Sequence, residues 1–498
     1  MRTFTRRPVV YIHDRPYFLQ NIVNRRKGVL TLQPIVMKFG GTSVEDAQAY
    51  ARVARLIESS INERPVVVVS AMSGMTDALL KSVEIAKETG AEQASLILEE
   101  HFARHKVVSE TLLSQQEIED FRKEMDAARR EVITRLLEIE GRVSTLPALQ
   151  DEIASCGERL SATLLAAVLR RSGTRARHVD ARQCIVTDER FGRAEPLMEE
   201  TTRRTSSQVG AVLEAGEIAV VGGFIAATVD GRTTTLGRGG SDYTAALIGA
   251  SLEAREIQIW TDVAGVLTAD PRVVRRASTI ARLSYAEAAE LAYFGAKVLH
   301  PKTILPAVVR GIPVRICNSL APEGGNTAIY FDTEKTPRTV KAIVHKKGIT
   351  IVHVTSARML GAYGFLRALF EVFDRHQTIV DLVTTSEVSV SLSLEDTSAL
   401  ALIVKELEEK GIGAVKVEHN RALVCVVGEG LRNTSGIAAR VFTAVRDINV
   451  MLISQGASSI NLTFVVEENL VEQAVRNLHQ AFFESNTREL YKSAMRDA

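Results

Sequence analysis

The chain has 498 residues, 46% hydrophobic and 24% charged, with 61 Lys and Arg against 60 Asp and Glu. At roughly 100–200 residues per domain this length holds about three domains, and the composition excludes disorder and collagen-like repeats. No apolar run reaches the roughly 18 residues of a membrane span, and the near-zero net charge points to neither nucleic acid nor a membrane surface.

Residues 1–34 carry seven basic residues and one acid, Asp14, so the remainder is mildly acidic. This start reads either as a targeting peptide or as a dispensable, disordered extension, because Met37 stands directly before Lys38-Phe39-Gly40-Gly41. It lacks the apolar core of a secretory signal. Residues 35–39 form a short apolar run ending at Gly40-Gly41, a buried strand entering a tight turn. A helix follows over 45–62. The run Val66-Val67-Val68-Val69 suits a strand buried on both faces. From 77 to 140, Leu, Glu, Ala and Arg recur at helical spacing without a proline, which predicts two or more long helices, drawn as a hairpin projecting from the sheet. A helix covers 155–171. Strands near 176–180, 218–222 and 257–260 alternate with helices at 201–215 and 241–252. Such alternation predicts an α/β fold, a mostly parallel sheet with helices on both faces, whose ligands sit beyond the carboxyl ends of strands.

After about residue 335 the pattern changes. Strand 340–355, helix 365–376, strands 379–383 and 388–394 and helix 398–410 are followed by strand 421–427, helix 436–446, strands 450–453 and 460–466 and helix 470–483. The two sets run in similar order, an approximate internal repeat. The expected division is an extension over 1–34, a catalytic α/β domain over 35–333, and two small α+β modules over 338–411 and 419–490, free to interleave.

Four turns carry the chemistry. The common phosphate loop, Gly-x4-Gly-Lys-Ser/Thr, is absent. Lys38-Phe39-Gly40-Gly41-Thr42-Ser43 instead places a lysine at a strand end before two glycines, whose amides can approach an anion closely. Ser70-Ala71-Met72-Ser73-Gly74 follows the valine run beside a helix start, and Gly222-Gly223 ends a third strand. Gly237-Arg238-Gly239-Gly240-Ser241-Asp242 joins an arginine, three glycines and an acid ahead of a helix. Each alone reads equally well as a glycine-rich turn, with Asp242 a plain helix cap; four at successive strand ends point to phosphate. The cysteines (Cys156, Cys184, Cys317, Cys425) have no paired spacing, which fits a reducing cytoplasm and argues against disulfides or a Cys-based zinc site. The histidines show no metal-ligand spacing, and His300 beside Pro301 reads as a helix-end hydrogen bond.

Residues 38–44 (KFGGTSV), 156–161 (CGERLS), 233–242 (TTTLGRGGSD), 260–272 (WTDVAGVLTADPR) and 295–301 (GAKVLHP) together resemble the motif set of the monofunctional aspartate kinases of the amino acid kinase superfamily. The resemblance runs in order from residue 35 to about 485. It implies that the β-carboxylate of L-aspartate attacks the γ-phosphorus of ATP, with Mg2+ held mainly by phosphate oxygens and water. It also implies that Lys38 bridges the transferred group and that Asp242 holds Lys38. An ionised carboxylate needs no general base, so the protein's part is positioning and charge neutralisation. For aspartate the matching positions are Thr76, Glu158, Arg238 and Ser241; Glu158 reads alternatively as a salt-bridge partner of Arg159. Gly40, Gly41 and Ser70 match the phosphate contacts. Thr261, Asp262, Arg272 and Lys297 match the nucleotide pocket, with Leu267 giving an apolar wall where some relatives carry Tyr. Arg193 belongs to the pattern in a structural role.

The two small modules resemble tandem ACT domains, which pair between subunits and bind an end-product amino acid at the seam. The resemblance therefore implies a homodimer or higher oligomer and feedback by lysine, threonine or both. Met359, Ala362, Phe365, Leu366, Val380, Asp381, Ser386 and Glu387 match the effector segment, where Asp381 and Glu387 suit an ammonium. Ala362 stands where a polar residue is frequent. The chain ends at Ala498, so no homoserine dehydrogenase half is expected. Other readings are a superfamily kinase with a different acceptor, and a catalytically silent amino acid sensor.

Overall fold

The computed structural model describes residues 33–140, 147–295, 299–331, 339–361, 363–456 and 458–484. The extension up to residue 32, Lys297 and Ala362 lie outside the described residues. The larger sheet has eight strands in the order Ala176–Val179, Ile218–Gly222, Pro65–Val69, Ile35–Phe39, Glu256–Thr261, Val314–Asn318, Thr327–Tyr330 and Arg282–Ser284. Every pairing is parallel except that of Val314–Asn318 with Thr327–Tyr330.

Side-chain alternation along the central strands separates two cores. Ile35, Met37, Phe39, Val67 and Val69 face one apolar layer, and Val36, Val66 and Val68 face the other. Burial on both faces is why this strand can be an unbroken run of β-branched residues. Lys38 shares the second face with Val36, the face covered by helix Gly240–Ser251.

The helical stretch after residue 74 does not project. It forms Met75–Thr89, Ala91–Leu96, Glu99–Leu112 and Gln115–Ile139. Phe102, Phe121, Met125, Val132, Leu136 and Ile139 lie in the same core layer as Leu79, Leu160 and Leu164. The apolar stripe on Gln115–Ile139 is satisfied by helices already lying on the sheet, where more apolar surface is removed from water than in an isolated hairpin.

The C-terminal region is one antiparallel sheet in the order Leu382–Thr385, Ser389–Leu394, Ala342–Thr355, Ala414–Val427, Asn461–Glu467 and Leu452–Gln455. Ala342–Thr355 and Ala414–Val427, 14 residues each, pair from Ala342↔Val427 to Thr355↔Ala414. One end of this pair builds a core with helices Phe365–Arg375 and Leu400–Glu409 around Val352, Val354 and Phe373. The other end builds a second core with Ile437–Ala444 and Val471–His479 around Ile343, Val424 and Phe464. The opposite face of the sheet, including Val344, Ile351, Leu423 and Cys425, packs with Ala288, Leu291 and Phe294 at helix Tyr285–Tyr293. Among the described residues no helix is long and apolar enough to cross a membrane.

Candidate active site

The parallel strands bring their carboxyl ends to one edge. Phe39 aligns with Val69 and Val69 with Gly222, so the turns after these three strands leave the sheet at one level. The fourth turn comes from a small sheet of Val186–Thr187, Ile225–Thr228 and Thr233–Thr235, strands too short to show a period in the sequence. Thr233–Thr235 runs into residues 237–242, which open helix Gly240–Ser251.

These turns enclose a cavity of about 440 Å3, whose wall includes Lys38, Gly41, Ser70, Thr76, Glu158 and Asp242. Lys38 Nζ lies 2.7 Å from Asp242 Oδ1, both side chains nearly buried. The two groups were 204 residues apart in the sequence and are now a contact pair. Ser241 also lines the cavity. Gly40 stands just behind, its N–H donating to the carbonyl of Trp260 at 3.3 Å. Gly41 is needed for fit: a Cβ there would lie 2.9 Å from the carbonyl oxygen of Ala71. Gly239 is needed for conformation as well, with φ +73° and the Cβ position 2.9 Å from Thr303 Cγ2.

Two helices, Met75–Thr89 and Gly240–Ser251, begin at the cavity with glycine N-caps and no side-chain cap. Their first N–H groups turn back onto the carbonyls of Met72 and Gly237 at 3.0 Å each, while the positive ends of the two dipoles lie at the cavity, where they favour an anion. Arg104, which the sequence reading did not single out, donates to the carbonyls of Ser73 (2.7 Å) and Glu45 (2.9 Å), tying together the first two turns. Its helix, Glu99–Leu112, packs against the sheet side and so reaches the turns.

Glu158 is 3% exposed. Its Oε1 accepts from the Thr76 hydroxyl at 3.4 Å, and Oε2 has no partner. Burial pushes its pKa up to about 8. The alternative pairing with Arg159 does not form, because Arg159 binds Glu131 at 3.0 Å. An unpartnered oxygen of a buried carboxylate on a cavity wall leaves a desolvation cost that a donor or a cation would offset.

Other expected residues lie elsewhere. The Arg238 side chain is exposed at the cavity mouth, between Gly237 and Gly239 of the wall; among the described residues it has no ion-pair partner. Thr261 follows Trp260 beside the Gly40 turn, its hydroxyl donating to Asp262 at 3.0 Å. Arg272 folds back onto Asp270 at 2.7 Å and is 88% exposed. Leu267 bridges Thr279. Neither Arg272 nor Leu267 reaches the cavity wall. His300 caps helix Pro301–Val309 through its carbonyl, which accepts from Thr303. Cys156 is buried and its thiol is pushed up to about 12 by that burial, leaving it inert.

In the C-terminal sheet, Met359, Phe365 and Val380 pack against the first core, whereas Leu366 is 42% exposed. The Tyr293 phenol donates to Asp381 Oδ1, and Asp381 Oδ2 is buried without a partner. Ser386 Oγ meets Ser389 Oγ at 2.7 Å in the turn before Ser389–Leu394, and Glu387 is exposed.

The sequence matches the amino acid kinase family over residues 33–318 and an ACT domain over residues 424–482. It is 40% identical to lysine-sensitive aspartokinase 3 of Escherichia coli, over 90% of this chain and 99% of the relative. The crystal structure of E. coli aspartokinase III in complex with lysine and aspartate superposes with TM-score 0.77 at 39% identity, covering 91% of this chain and 100% of the other. That of the same enzyme with aspartate and ADP gives TM-score 0.74 at 38% identity, with the same coverage.

Proposed function

The chain belongs to the aspartokinases of the amino acid kinase family, and from that premise we propose that its cavity transfers the γ-phosphoryl group of ATP to the β-carboxylate of L-aspartate, giving 4-phospho-L-aspartate. The observation that carries this reading is the Lys38–Asp242 pair inside a cavity walled by glycine turns and uncapped helix starts.

The acceptor carboxylate is ionised at neutral pH, so the barrier is electrostatic: an anion must approach a polyanion. Lys38 neutralises charge on the phosphoryl group, and Asp242 fixes where its ammonium sits. Amides of the Gly40–Gly41 turn and of the two helix starts, with Ser70, receive phosphate oxygens. Glu158, oriented by Thr76, receives the α-ammonium of aspartate. Ser241 and Arg238, the latter swinging in from the mouth, receive its α-carboxylate. Thr261 and Asp262 border the nucleotide side, and Arg272, Leu267 and Lys297, the last outside the described residues, are assigned to the nucleotide on the motif match. Among the described residues no three His, Cys, Asp or Glu side chains gather as a metal site. Mg2+ would arrive on the nucleotide and be held by phosphate oxygens and water, adding neutralising charge. Incubating the protein with ATP, Mg2+ and L-aspartate should yield ADP and a hydroxylamine-trapped acyl hydroxamate in equal amounts. ADP release without hydroxamate, or hydroxamate only with another carboxylic acid, would refute the assignment.

The regulatory region is proposed as two interleaved modules over 338–411 and 419–490. The residues around Asp381 and Glu387 form a receptor for a feedback amino acid, lysine or threonine. The unpartnered Asp381 oxygen supports a cationic ligand. Exposed Leu360, Tyr363, Ile379 and Val388 support pairing of this module with a second copy. Titrating lysine, threonine and methionine against activity should show inhibition by lysine or threonine. Asp381→Ala should raise the half-inhibitory concentration at least tenfold, and sedimentation should report a dimer or larger. The four free, buried cysteines support residence in a reducing cytoplasm.

A further inference from the structure

One buried carboxylate takes no part in the chemistry above. Asp151 is 2% exposed and lies on helix Pro147–Ala154. Its Oδ2 accepts the N–H of Gly192 at 2.8 Å and the N–H of Thr235 at 2.9 Å. Its Oδ1 accepts the Thr235 hydroxyl at 2.8 Å. Among the described residues no cation pairs with it. Burial raises its pKa and the three donors oppose that rise. An apolar side chain of similar volume would leave the two N–H groups unpaired, so the site calls for an acceptor, and the acceptor joins two separate elements.

The donors share a location. Thr235 ends the strand that runs into the 237–242 turn. The carbonyl of Gly192 stands 3.2 Å from the place a Cβ on Gly237 would occupy, so the Gly192 loop braces the same turn. On the other side, helix Pro147–Ala154 leads through Ser155 into Cys156–Arg171, whose first turn carries Glu158. The Asp151 carboxylate is thus a tie between the element presenting Glu158 and the turn presenting Ser241 and Asp242.

We propose that Asp151 is a positioning residue for the amino acid substrate. It sets the separation between the carboxylate that receives the ammonium and the turn that receives the α-carboxylate. This inference rests on the assignment of Glu158 and Ser241 to aspartate. Of the groups assigned to ATP phosphates, the Gly40–Gly41 turn, Ser70 and the start of Met75–Thr89 lie outside this tie and only the start of Gly240–Ser251 lies within it, so KM for aspartate moves further than KM for ATP. Asp151→Leu, which removes all three acceptor contacts, should raise KM for aspartate at least tenfold and leave KM for ATP within about twofold. Asp151→Asn should restore KM for aspartate to within about threefold, because its carbonyl oxygen can accept both N–H groups while its amide donates to the Thr235 hydroxyl. Should Asp151→Leu not fold, Thr235→Val removes one contact alone and should raise KM for aspartate about threefold with KM for ATP unchanged. Equal changes in both KM values, or a lowered Tm with KM for aspartate intact, would overturn the proposal. Glu158→Gln is measured alongside. If it leaves KM for aspartate unchanged, the assignment of Glu158 fails; if it raises that KM while Asp151→Leu does not, only the positioning role fails.

Discussion

Lys38→Met is expected to lower kcat by roughly three orders of magnitude, the size of effect seen when a cation that stabilises a phosphoryl transition state is removed. Methionine keeps most of the volume of the side chain, so the loss is one of charge. The same change strands Asp242, whose partner at 2.7 Å is gone and whose side chain is only 13% exposed. Breaking a buried pair from one side destabilises more than removing both partners. Lys38→Met should therefore lower Tm, and adding Asp242→Asn should recover part of that Tm without recovering turnover. Steady-state rates and thermal melts on the four members of this cycle separate electrostatic catalysis from folding. Near-normal turnover by Lys38→Met would remove the lysine from the reaction.

Glu158→Gln is expected to raise KM for aspartate by about two orders of magnitude, the cost of truncating one side of a buried, hydrogen-bonded charge pair. A pH series gives a second reading. In the free site burial holds the Glu158 pKa at about 8, above its ordinary value, so at neutral pH the carboxyl is largely protonated. The substrate ammonium binds the ionised form. The apparent KM of the parent enzyme should fall as pH rises and level off above about 8, approaching about tenfold per pH unit on the acid side. Glutamine does not titrate, so the variant should lose this slope. A KM for aspartate that is flat between pH 6 and 8 in the parent would show that Glu158 is not the ammonium receptor.

What the sequence displayed and what it concealed divide along physical lines. Strand ends marked by Gly40-Gly41, Gly222-Gly223 and the 237–242 turn were legible because glycine at a strand end reports close approach or positive φ, both local properties. The meeting of Lys38 with Asp242 is not local. Resemblance to a motif set implied it, and the packing of helix Gly240–Ser251 over the sheet face that carries Lys38 brings it about. Helix Gln115–Ile139 announced an apolar stripe, but a stripe does not name its partner, so its packing onto the sheet side was missed. Arg272 illustrates the reverse. A carboxylate two residues earlier, Asp270, takes the guanidinium in a local loop, a contact that the motif match to a nucleotide pocket did not display. The strand Ala414–Val427 begins seven residues before the expected start at 421, where Val415 and Val417 already alternate with charged residues in the half-buried manner of a strand.

The two long strands of the C-terminal sheet also limit how this region can be taken apart. Each contributes one half to either core, with Ile343 in one and Val352 and Val354 in the other. A protease nick between 356 and 413 would leave both fragments stitched into one sheet by the pairing that runs from Ala342 to Thr355. Excising or transplanting a single module, by contrast, would cut through two strands at mid-length and orphan half a ladder in the remainder. Recombination, natural or engineered, can exchange this regulatory half only as an indivisible pair.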